Sequence, residues 1–118
     1  MNLINELAGI SGVIAAGEYS YRGDRFSYEG QLDDEKARMA SIMCRATTMA
    51  VHMQADMMKS LNNDCGCAPA RGWIVRGAHF SVCVIANYFA FIDNNSASVN
   101  EVMQLMQDKV PDQEGTLV

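Results

Sequence analysis

Cys65-Gly66-Cys67 is the sharpest chemical feature of the sequence. Two thiols flanking a flexible glycine can share a soft metal ion or close into a disulfide. A zinc site wants four ligands, and no second pair of nearby Cys or His follows this loop. Met57 and Met58 lie close by in sequence, and thioether with thiolate is a soft ligand set that suits copper. The plainer interpretation is a loop with two incidental cysteines, and it is the favoured one. Cys65 and Cys67 are thus the candidates for a redox or metal role, and no bound cofactor is expected. Cys44 and Cys83 fall in segments that read as core. With no secretory signal in Met1-Asn2-Leu3-Ile4-Asn5-Glu6, reduced thiols and a cytoplasmic location are expected.

Other groups that could do chemistry have simpler explanations. His52 and His79 have no adjacent nucleophile or partner carboxylate in the pattern, so neither suggests catalysis. Asp33, Asp34 and Glu35 suit the start of a helix, where free N–H groups and the positive dipole end favour carboxylates. Gly9, Gly12 and Gly17 are not followed by Gly-Lys-Ser or Gly-Lys-Thr, so no phosphate loop is read. Catalytic residues are therefore assigned to none, and the chain is not expected to be an enzyme. Thr116-Leu117-Val118 could enter a carboxylate-binding groove, but a flexible tail over 111–118 is the better reading.

Composition narrows the partners. The 118 residues carry a net charge of −5, and their nine Lys and Arg are scattered without a basic run, which argues against nucleic acid. No stretch approaches about 18 uninterrupted apolar residues, so no membrane span is expected. The length suits one domain, placed at residues 1–110.

The elements that would position these groups follow from periodicity and turn residues. A short helix is expected at 2–8, then strands at 13–19 and 25–29 joined through Gly23. Asp33-Asp34-Glu35 opens a helix from Asp34 to Leu61, free of Pro and Gly, which Asn62-Asn63-Asp64 ends. Strands at 73–76, 79–85 and 88–93 are apolar on both faces, as in a sheet covered on both sides. Ser98-Val99-Asn100-Glu101 has capping-box spacing, and Val99, Val102, Met103 and Met106 recur with helical period.

Residues of the long helix fall into three stripes when placed ~100° apart about its axis. Met39, Ile42, Met43, Ala46, Met49, Ala50, Met53, Met57 and Leu61 form a bulky stripe, expected to pack as core. Arg38, Ser41, Arg45, Thr48, His52, Asp56 and Lys59 form a polar one. Ala37, Ala40, Cys44, Thr47, Val51, Ala55 and Met58 form a small-residue face. That face is surplus to a helix lying on one sheet, and it suits the same helix of a second copy across a two-fold axis.

The order helix–strand–strand–long helix–strand–strand–strand–helix resembles the roadblock family of profilin-like domains. The likeness is carried by Ile10-Ser11-Gly12-Val13 before the first strand, the Gly23-Asp24 hairpin, the acidic-capped long helix, the strand triplet and the closing amphipathic helix. It covers residues 2–109. The resemblance implies an α+β sandwich: a five-stranded antiparallel sheet in the order 2-1-5-4-3, with the long helix on one face and two short helices on the other. It also implies a homodimer joined by the long helix and the third strand, Trp73, Ile74, Val75 and Arg76. Family members serve as regulators, scaffolds and light chains, so the expected partners are a second copy and another protein, with a small GTPase as one candidate. The alternative is a thiol-based redox or soft-metal protein acting through Cys65 and Cys67. A small-molecule sensor ranks last, because no cluster of polar groups converging on an apolar cavity is legible.

Overall fold

A five-stranded antiparallel sheet organises the computed structural model, which describes residues 3–68 and 70–110. In chain order the elements are α1 (Leu3–Ala8), β1 (Val13–Tyr19), β2 (Phe26–Gly30), α2 (Asp34–Leu61), β3 (Gly72–Arg76), β4 (Phe80–Ile85), β5 (Tyr88–Asp93) and α3 (Val99–Lys109). The strands lie in the order β2-β1-β5-β4-β3, as the roadblock resemblance implies. The expected tail at 111–118 lies outside the described residues.

Local chemistry accounts for most element boundaries. The Asp33 side chain accepts from the Lys36 N–H at 2.8 Å and caps α2, which ends at Asn62. Ser98 accepts from the Glu101 N–H at 3.3 Å and caps α3. Gly23 turns the β1–β2 hairpin with φ +82°, a conformation that side-chain-bearing residues rarely adopt. Gly17 serves close approach instead, since a Cβ there would meet the Phe89 ring at 2.5 Å. The β4–β5 turn places Ala86 at φ 54°, and the next residue anchors it. Buried Asn87 donates from Nδ2 to the Tyr19 carbonyl at 2.8 Å, while its own carbonyl accepts from the Tyr19 N–H at 3.0 Å.

The sheet separates two apolar layers. On one side α1 and α3 bring Ile4, Leu7, Val102 and Met106 against Val13, Cys83, Ile85 and Ile92. On the other, Tyr19, Val84 and Phe89 pack with Cys44 of α2, flanked by Phe26, Tyr28, Trp73 and Phe91. The strands supply aromatic bulk on this second side, so the helix above it must be narrow.

That geometry exchanges the two apolar faces expected of α2. Its buried residues are Ala37, Ala40, Ser41, Cys44, Thr48 and Ala55, so the small face belongs to the core of the single chain. Ala37 is fully buried, whereas Met43, Met53 and Leu61 are 65%, 74% and 79% exposed. The bulky stripe therefore points away from the sheet. The assignment of Ala37, Ala40, Cys44 and Ala55 to a dimer interface is corrected: their contact surface is already taken by the sheet. Thr47 and Val51, at the flank of that face, are half-buried, and Met58 is exposed. The inner face also turns toward the polar stripe, taking in Ser41, which donates to the Ala37 carbonyl at 2.8 Å, and Thr48.

Candidate functional site

The outward side of α2 presents Met39, Ile42, Met43, Met49, Met53, Met57 and Leu61 to solvent along most of a 28-residue helix. Residues three and four apart on a helix share a face, so these side chains form one continuous apolar strip. Among the described residues β3 is an edge strand, with β4 on one side and no strand beyond. Its backbone pairs with β4 from Gly72↔Ile85 to Arg76↔Ser81, which leaves its outer edge available for another strand. Ile74 and Val75 of β3 are exposed as well. Large contiguous apolar surface of this kind marks a place where another surface docks.

Of the residues expected at an interface, Ile74, Val75, Arg76 and Met58 lie on exposed surface, while Trp73 turns inward. The Trp73 indole N–H donates to Thr48 Oγ1 at 2.8 Å, and the same oxygen lies 2.9 Å from the Tyr19 hydroxyl. This three-residue network ties β3 and β1 to the inner face of α2. Burial pushes the Tyr19 phenol above its ordinary range, against the opposing pull of its bond to Thr48. Alongside, Arg45 reaches from the flank of α2, its Nε donating to the Tyr21 carbonyl.

Cys65 and Cys67 are joined as a disulfide with their Cα atoms 5.2 Å apart, so the structure shows this pair oxidised where reduced thiols are expected. Cys44 and Cys83 are free and buried. Burial pushes each thiol up to about 12, with Cys83 adding to the effect at Cys44. Both are therefore poor nucleophiles at neutral pH. Met57 and Met58 are exposed at the same end of α2, and among the described residues no group of three or more His, Cys, Asp or Glu could hold a metal. His79 precedes β4 on exposed surface, whereas His52 faces a cleft beside Arg45. The acidic residues at the head of α2 are occupied structurally: Asp33 caps, Asp34 accepts from the Tyr28 hydroxyl at 2.7 Å, and Glu35 pairs with Arg38 at 2.6 Å. No helix among the described residues is long and apolar enough to cross a membrane.

Sequence periodicity finds both apolar faces of α2; the structure exchanges their roles, takes Ser41 and Thr48 of the polar stripe into the inner face and leaves Met58 exposed. The Tyr19–Thr48–Trp73 network was not found. Its signal, a Thr on the same helical face as Cys44 and Ala55, is visible once the inner side is known.

The crystal structure of a Roadblock/LC7 domain from Streptomyces avermitilis is similar to this chain with a TM-score of 0.58. The match covers 92% of this chain and 94% of that one at 12% identity, a likeness of fold alone. No curated protein matches the sequence. Residues 3–108 match the family described as uncharacterized conserved protein (DUF2173). The chain belongs to that family, and its fold is that of a roadblock domain.

Proposed function

We propose that the protein is a non-enzymatic regulatory or scaffolding module that works as a homodimer and docks partner proteins on its composite surface. The observation that carries this reading is the exposed methionine strip of α2 beside the open edge of β3. Two copies related by a two-fold axis bury both strips against each other and pair β3 with β3 in one continuous antiparallel sheet. Methionine suits such a contact, since its unbranched thioether fills irregular gaps. The small GTPase stays a candidate partner on the roadblock likeness alone. Sedimentation equilibrium at micromolar concentration tests the dimer: a mass twice the 12.9 kDa of one chain is expected, and a monomer overturns the reading.

The Cys65–Cys67 disulfide favours a second reading, in which this pair passes between disulfide and dithiol by thiol–disulfide exchange, taking two electrons and two protons from a partner dithiol that becomes a disulfide, and returning them to a partner disulfide in reverse. Two thiols that stay unreactive toward disulfide reagents after mild reduction would remove it.

A further inference from the structure

Between the second half of α2 and the β3–β4 side of the sheet lies a cavity of about 840 Å³, within the range of roughly 300–1,000 Å³ usual for small-molecule sites. Its charged lining is unlike the rest of the chain. The protein carries a net charge of −5, yet Arg45, Arg71 and His52 are among the residues that line the cavity. Among the described residues no Asp or Glu lines it. Cationic groups gathered in a recess with low-dielectric walls focus their field on whatever enters.

Apart from Tyr21 and Thr48 the remaining lining is apolar, with Trp73, Val84 and Ile85 on the sheet side. The Trp73 N–H is already bonded to Thr48 at 2.8 Å, so the indole contributes to the cavity as a flat apolar surface and not as a donor. Arg45 is held in place: its Nε donates to the Tyr21 carbonyl, and its side chain lies over Gly23, where a Cβ would come within 3.3 Å of Cδ. Arg71 enters from the segment before β3, and its carbonyl accepts from the Ala86 N–H at 3.0 Å, which fixes its backbone to the β4–β5 turn. The side chain of Arg45 and the backbone of Arg71, from segments far apart in sequence, are thus each held at one recess.

We propose that this cleft binds a small, flat organic anion of the aromatic carboxylate class, its ring against Trp73 and its carboxylate toward Arg45, Arg71 and His52. A planar guanidinium matches a carboxylate with two parallel hydrogen bonds, and aromatic surface suits the indole. Met49 of the methionine strip and Trp73 of β3 also line the cleft, so sedimentation is run beside the titration to read dimerisation separately from binding.

Trp73 is the sole tryptophan, so its indole N–H resonance reports the cleft directly. The test titrates the full chain with 2-naphthoate, its neutral isostere 2-naphthamide, and inorganic phosphate, followed by that resonance and by calorimetry. Expected is saturable binding of naphthoate that shifts the indole signal, with the amide and phosphate each weaker by about tenfold or more, as charge-assisted contacts imply. Arg71→Gln and Arg45→Gln should each weaken naphthoate by about tenfold, while Lys36→Gln, which removes a cation at the distant start of α2, leaves it unchanged. Arg45→Gln also loosens the Tyr21 contact, so Arg71→Gln, on an exposed residue, decides if the first variant unfolds. An indole signal that does not move at millimolar naphthoate overturns the proposal. So does an amide that binds equally well, or an Arg71→Gln variant with unaltered affinity.

Discussion

The inner side of α2 is built from Ala37, Ala40, Ser41, Cys44, Thr48 and Ala55, and the outer side from Met39, Met43, Met49, Met53 and Met57. Hydrophobicity alone would bury the second set first. Shape decides otherwise, because the sheet already supplies Tyr19, Phe89 and the rings around them. A protein interior is filled to crystal-like density, so bulk on the strands calls for small residues on the helix. Small side chains on the inner side let the backbone of α2 settle close to the sheet. The methionines, turned outward and 50–74% exposed, leave unrealised roughly half to three quarters of the about 1.5–3 kcal/mol that fully burying a large apolar side chain yields.

The sharpest way to break this comparison is to place the same charge on each side. Ala37→Glu would force a carboxylate into the fully buried inner side of α2. It should destabilise the fold by about 3–5 kcal/mol in urea unfolding, the scale of an uncompensated buried charge. Met53→Glu, on a side chain 74% exposed, should leave the secondary structure of the single chain intact and weaken self-association by about tenfold or more in sedimentation. If Met53→Glu unfolded the chain and Ala37→Glu did not, the two sides would have to be exchanged again.

The sequence made the elements legible because their signals are local. Asp33 and Ser98 cap the helices they precede, Gly23 turns its hairpin, and α2 spans Asp34–Leu61 as its uninterrupted pattern indicates. The inner side of α2 was not legible, because it depends on the volume of side chains from strands at 19, 84 and 89, brought together only by the sheet order. A stripe of methionines at helical spacing looks the same whether it faces a core or a partner. The cationic cleft shows a similar division. Arg45 and His52 are seven residues apart and visibly share one helical face. Arg71 joins them through the path of the chain from Asn62 to β3, which no local pattern specifies.

Thr48 offers a smaller test on the inner side, since it belonged to the polar stripe by residue type and to the core by structure. Thr48→Val keeps the shape and removes the oxygen that serves both the Trp73 indole N–H and the Tyr19 hydroxyl. Leaving those two groups without this partner should cost about 1–3 kcal/mol. Thr48→Ser, which keeps the hydroxyl, should recover most of that loss. Urea unfolding followed by Trp73 fluorescence checks both. Equal stability of the two variants would mean that the hydroxyl is replaced by water and that this end of α2 is open.

The mildest perturbation needs no substitution at first. Burial pushes the thiols of Cys44 and Cys83 up to about 12 from an ordinary value of 9.0. At neutral pH both are protonated in the folded and the unfolded chain, so they contribute no pH dependence there. As pH rises above about 9, the unfolded chain releases protons that the folded chain retains, and stability falls by up to about 1.4 kcal/mol per pH unit per thiol. The fall continues until the folded thiols themselves ionise near 12. Burial also raises the Tyr19 phenol, which adds a slope of the same sign once unfolded tyrosine ionises, above about pH 10. The window just above pH 9 therefore isolates the cysteines. Cys44→Ala should remove its share of the slope in that window, measured by urea unfolding at closely spaced pH values. An unchanged slope would mean that Cys44 ionises as freely in the folded chain as in the unfolded one. Water would then reach the inner side of α2, and the contrast between its two sides would lose its physical basis.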